Sequence, residues 1–161
     1  MPHNQKLPVS KSKLGYTTSH IIKQPLKKVW EAVTEPAHIR KYFCDKQIGE
    51  WGPDLAPVRW WWKEFGDETM DMYPIEYKKY EKIVFVGPAY GPKYMTTMTF
   101  EFVKKGPKET IFRVHDYGYK QKDLKVAFMM CEGWTEFHTY LKAYMKFGVD
   151  VMREKKIAAK K

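Results

Sequence analysis

Residues 121–149, QKDLKVAFMMCEGWTEFHTYLKAYMKFGV, decide the fold. Apolar or aromatic side chains recur at Leu124, Phe128, Cys131, Trp134, Phe137, Leu141, Tyr144 and Met145, close to the period of an α-helix. Leu124, Phe128, Cys131, Leu141 and Met145 form one stripe, which Ala127, Met130, Trp134, Phe137 and Tyr144 widen. Lys122, Asp123, Lys125, Glu132, Glu136, Lys142 and Lys146 keep most of the other side wet. An amphipathic helix of this length needs a broad apolar surface to lie on. Most of the preceding chain reads as strands, so the expected partner is an antiparallel sheet. Such a sheet either closes on the helix as solid core or leaves a cavity, and function turns on which.

Upstream, Gly15 to Lys23 is rich in β-branched and aromatic residues and reads as a first strand. Pro25 then suits a first helical turn, where its missing amide is not needed, and Leu26, Val29, Trp30 and Val33 form an apolar stripe. Thr34 ends that helix and is expected to cap a second one, with Pro36 in its first turn and Ile39, Tyr42 and Phe43 inward. Residues 44–57 read as loop or a short irregular strand. Val58 to Phe65, Glu68 to Lys79, Lys82 to Gly87, Tyr94 to Lys104 and Glu109 to Tyr117 read as strands. Pro74 marks an edge or a bulge in the second of these. Gly133 inside the long helix costs roughly 1 kcal/mol against alanine, and permits a bend or a close contact beside Trp134.

The formal charge of +10 suggests nucleic acid until it is located. Residues 1–28 hold six lysines and no acid, residues 151–161 five basic residues and one acid, and residues 29–150 balance 18 basic against 18 acidic. A folded body with no net charge is not a phosphate-binding surface, so no specific nucleic-acid partner is expected. Residues 1–14 read as a flexible basic leader, 15–149 as the folded domain and 150–161 as a basic tail. No apolar run reaches membrane-spanning length and none resembles a secretory signal. Cys44 and Cys131 read as reduced thiols. A cytoplasmic protein is the expectation.

Chemistry-bearing motifs are sparse. His3, His20, His38, His115 and His138 stand in no metal-ligand spacing, so no metal is expected. The loop Pro88-Ala89-Tyr90-Gly91-Pro92 has no phosphate-binding pattern, and Ser10, Ser12 and Ser19 make a poor nucleophile set. No cofactor and no catalytic residue is assigned; His115, Arg113 and His138 are the residual acid–base candidates.

The order strand, two short helices, five or six antiparallel strands and a long helix resembles the α+β helix-grip fold of the START-like, Bet v 1-like superfamily (SRPBCC). Pro25-Leu26-Lys27-Lys28-Val29-Trp30-Glu31-Ala32-Val33-Thr34, with His38, Ile39 and Tyr42-Phe43, sharpens this. Cys131-Glu132-Gly133-Trp134-Thr135-Glu136-Phe137, the Gly66-Asp67-Glu68 turn and the Thr96-to-Phe102 strand are similar to the family named after the activator of the Hsp90 ATPase. The resemblance implies a curved antiparallel sheet gripping the C-terminal helix over an apolar cavity. It also implies a small hydrophobic ligand in that cavity, although a few members of the wider superfamily act as cyclases or hydrolases. With no metal or nucleotide motif here, binding of a small hydrophobic or aromatic molecule without catalysis is the expectation. The alternative is an Hsp90-like chaperone regulator or a stress-related protein-interaction domain; on either reading a monomer or weak homodimer is expected. Trp60, Trp62, Met70, Met72, Met98, Phe100 and Phe112 from the strands, with Phe128, Trp134, His138 and Leu141 from the helix, are the expected ligand contacts.

Overall fold

The computed structural model describes residues 7–160. β1 (Leu14–Ile22) leads into α1 (Leu26–Thr34) and α2 (Pro36–Tyr42). β2 (Lys46–Ile48), β3 (Val58–Trp61), β4 (Thr69–Lys78), β5 (Lys82–Pro88), β6 (Met95–Gly106) and β7 (Glu109–Tyr119) follow. The chain closes with α3 (Leu124–Phe147) and α4 (Val151–Ala158). The strands form one seven-stranded sheet in the order β1-β7-β6-β5-β4-β3-β2, antiparallel at every pairing. The helix-grip architecture read from the sequence is therefore present: a curved open sheet wraps α3, with two short helices after the first strand.

Alternation sets the faces. On β6, Thr96, Met98, Phe100 and Phe102 are buried, and β7 buries Thr110, Phe112, Val114 and Asp116. Register shifts at Leu14/Gly15, Pro74/Glu76 and Lys104/Gly106 help the sheet to bend. Pro74 thus sits at a bulge, paired with Phe85 of β5 on one side and beyond Met72, where the pairing with β3 ends, on the other. α3 ends where Gly148 adopts φ 66° and its N–H donates to the Tyr144 carbonyl.

Some local readings change. Thr34 does not cap α2: its Oγ1 donates to the Trp30 carbonyl at 2.8 Å, and the N-cap position is Glu35. The third strand is shorter than read, since the chain after Trp61 tightens into a 3₁₀ turn at Lys63–Phe65. The buried face of α3 is Ala127, Trp134, Phe137, His138 and Leu141. Leu124 and Phe128 therefore fall outside the core, and Phe128 is 71% exposed. The apolar set on this helix spans more than one face, so periodicity leaves its phase open.

The leader read over residues 1–14 lies partly outside the described residues. Its described part is tied down: Met95 N–H donates to the Pro8 carbonyl at 2.8 Å and Ser10 N–H to the Met95 carbonyl at 2.9 Å. The segment read as a basic tail holds α4. The Asp150 carboxylate accepts from Arg153 N–H at 2.9 Å, Met152 is buried, and Lys156 pairs with Asp45 at 3.3 Å.

Candidate functional site: an apolar cavity between the sheet edge and the middle of α3

Three consecutive tryptophans shape one side of the site. Trp60 points inward, fully buried, and donates from Nε1 to Gln47 Oε1 at 2.9 Å. Trp61 takes the other face and donates to the Gly66 carbonyl at 2.6 Å, pinning the β3–β4 connection. Trp62 returns inward at the end of the strand and donates to the Phe43 carbonyl at 2.6 Å. Each indole N–H is satisfied, so each ring has a defined place.

Behind Trp62 the interior is filled. Trp60 and Phe137 stack with centroids 5.9 Å apart, Phe100 meets Trp134 at 5.6 Å, and Phe112 meets Phe137 at 5.9 Å. Toward the β3–β4 connection the filling stops, and a cavity of about 480 Å³ opens between the sheet edge and α3. Phe43, Trp62, Phe65, Met70, Tyr90, Met130 and Trp134 give it large apolar walls. Met129, Gly133, Thr69 and Glu68 complete the lining. A Cβ at Gly133 would meet nothing within 4 Å, so this glycine leaves room in the wall rather than serving a close helix contact.

The sequence-derived contacts divide. Trp62, Met70 and Trp134 line the cavity. Trp60, Met72, Met98, Phe100, Phe112, His138 and Leu141 are all fully buried in packed interior. Phe128 faces away from the interior. The lining residues missed from sequence are Phe43, Phe65, Glu68, Thr69, Tyr90, Met129, Met130 and Gly133. Met129, apolar on the wetter side of the helix and 51% exposed, was the readable signal.

Electrostatics around the cavity are simple. Glu68 is the one charged lining residue, and its carboxylate makes no hydrogen bond or ion pair among the described residues. The Tyr90 hydroxyl donates to the Thr69 carbonyl at 3.5 Å, and burial together with Asp71 and Glu68 holds its phenol above the usual range. Deeper in, Asp116 accepts from Tyr16 and Tyr119 hydroxyls at 2.7 and 2.6 Å. Burial raises its pKa against those bonds. Its Oδ1 and the Trp134 Nε1 are buried without a protein partner. His138 is bonded to Thr18 Oγ1 at 2.9 Å, stacked on His20, and pushed down to about 3 by burial, His20 and Lys142.

The residual acid–base candidates are not assembled at the cavity. His115 and Arg113 lie on the opposite face of β7, both bonded to Glu101, at 3.0 and 3.1 Å. Those bonds hold the Glu101 carboxyl below its usual range although burial works the other way. Among the described residues no group of three or more His, Cys, Asp or Glu side chains is placed to hold a metal ion. Among the described residues no helix is long and apolar enough to cross a membrane.

A curved sheet gripping a long helix, with aromatic core behind and an apolar cavity at one side, defines the helix-grip class of hydrophobic-ligand folds. Within it, the family described as "Activator of Hsp90 ATPase homolog 1-like protein" matches residues 23–146, and the chain belongs to that family. Solved structures agree on the fold. A Staphylococcus saprophyticus protein superposes with TM-score 0.70 at 19% identity, covering 83% of this chain and 93% of that one. DynU16, from the dynemicin biosynthetic locus, gives TM-score 0.70 at 21% identity, covering 84% of this chain and 48% of its own. The Aha1 dimer from Colwellia psychrerythraea gives 0.65 at 16% identity, covering 83% and 98%. No curated protein matches the sequence.

Proposed function

We propose that this protein binds a small hydrophobic or aromatic molecule, without transforming it, in the cavity between Trp62, Met70, Tyr90 and α3. The observation that carries the reading is the cavity itself. Its volume of about 480 Å³ falls in the range of small-molecule sites, roughly 300–1,000 Å³. Apolar burial would supply most of the affinity, about 25 cal/mol per Å² before ordering costs. Three methionines beside five aromatic rings give walls that adjust to more than one ligand shape. The two cysteines are unpaired, which supports a reducing, cytoplasmic setting.

The test is titration with the neutral hydrophobic dye phenylnaphthylamine, followed by backbone amide NMR. Saturable one-site binding with shifts centred on Trp62, Gly133 and Trp134 supports the reading. Unsaturable binding, or shifts scattered over the surface, refutes it. Native mass spectrometry of protein from its own host then identifies the occupant.

Family membership favours one second reading, regulation of an Hsp90-like chaperone. The basic chain ends would complement an acidic partner. Stimulation of the cognate chaperone ATPase, weakened by salt, supports this, and no stimulation at saturating protein counts against it. The Colwellia relative is described as a dimer; sedimentation over a concentration series separates a monomer from a weak homodimer here.

A further inference from the structure

Polarity at the cavity is one-sided. Among the described residues Glu68 is its only charged lining residue, and no lysine or arginine lines it. The carboxylates continue beyond the lining: Glu64 and Asp67 share the β3–β4 connection with Glu68, while Glu132 and Glu136 flank Gly133 on α3. Tyr140 donates to Glu136, and its phenol is pushed up to about 12 by burial, by Glu136 and, least, by Glu64. Basic residues close along the chain or in contact with this region include Lys63, Lys93, Lys125 and Lys155. Lys63 and Lys125 sit next along the same elements and outside the lining. Lys155 lies over the Tyr140 ring at 4.9 Å.

This runs against the chain as a whole, which carries +10. Non-specific electrostatics would draw anions to it. The cavity instead is lined by the rings of Phe43, Trp62, Phe65, Tyr90 and Trp134, with the exposed Glu68 carboxylate at the rim. Ring faces and carboxylates both stabilise a cation, and there is no basic group in the lining to meet a carboxylate or phosphate headgroup.

We infer that the cavity selects cationic amphiphiles, an apolar body carrying an amine or ammonium group, over anionic amphiphiles such as fatty acids. The inference rests on the hydrophobic-ligand reading above and adds its charge. The apolar body occupies the space beside Trp134 and Met70, and the ammonium sits at the rim near Glu68. Because Glu68 is exposed, its contribution is that of a surface charge pair, modest and salt-sensitive.

Three probes of equal length test it: n-decylammonium, n-decanol and n-decanoate, below their micelle concentrations. Binding is read from amide shifts at Met129, Gly133 and Trp134. At low salt, decylammonium should bind roughly tenfold tighter than decanoate, about 1.4 kcal/mol, with decanol between. The double variant Glu64→Gln/Glu68→Gln should shrink that gap about threefold, and added salt should shrink it in the parent protein. Decanoate binding as tightly as decylammonium overturns the charge preference while leaving the cavity reading intact. So does a gap that the double variant does not change. If no probe binds, the cavity reading fails and this inference with it.

Discussion

Gly133 is the position where stability and binding should move in opposite directions. It lies mid-way along α3, lines the cavity, and has open space where a Cβ would go. Glycine in a helix interior costs about 0.8–1.0 kcal/mol against alanine. Gly133→Ala should therefore stabilise the fold by about that amount, raising Tm by roughly 2–4 °C for a chain of this size. Gly133→Leu keeps most of the propensity gain and places a branched side chain in the cavity. It should unfold no earlier than the parent while losing affinity for phenylnaphthylamine by about tenfold or more, about 1.4 kcal/mol. An ordinary packed site would behave otherwise, since overfilling a core costs about 1–3 kcal/mol. Circular-dichroism melts and dye titration of the two variants decide the matter. A lower melting temperature in both would show that the wall is already full, and undiminished affinity in a stable Gly133→Leu protein would show that ligand does not enter there.

Other positions separate core from cavity. Trp134→Ala removes a ring that both closes the cavity and packs on Phe100, so it should cost about 3–5 kcal/mol in urea unfolding as well as binding. Phe128→Asn, at a side chain 71% exposed and outside the lining, should change stability by no more than about 0.5 kcal/mol and leave dye affinity intact. His138 is held neutral, its pKa lowered from 6.5 to about 3, so its contribution is complete above pH 6.5. As pH falls below that value the unfolded chain takes up a proton that the fold does not, removing on the order of 4 kcal/mol by about pH 3. His138→Gln should flatten that limb of a stability–pH curve; an unchanged slope would show that His138 is not its source.

The sequence by itself determined the architecture, because the architecture rests on local periodicities. Alternation along Met98, Phe100 and Phe102 can satisfy only a half-buried strand, and the spacing from Trp134 to Leu141 only a helix on an apolar surface. Pro36 opens α2 in its first turn, where a fixed φ fits and the amide is dispensable, while Pro25 stands one residue ahead of α1 as its N-cap rather than in its first turn. That order of elements leaves the helix-grip arrangement as the natural way to bury both faces.

The lining of the cavity was decided only in three dimensions. A ligand wall is the place where packing stops, and no periodicity within one segment records where that happens. Trp60 and Trp62 share a strand face and look equivalent in sequence, yet Trp60 is sealed against Phe137 while Trp62 sits at the strand's end beside open space. Phe128 and Met129 are adjacent apolar residues, and the rotation of α3 on the sheet turns Met129 toward the cavity and Phe128 to solvent. That rotation follows from the wedge of Trp134, Phe137 and Leu141 against the aromatic side chains of β3, β6 and β7, a sum over contacts from distant parts of the chain. Glu68 and Tyr90 come from two loops whose approach depends on sheet curvature, so the charge of the site emerged only with the tertiary fold.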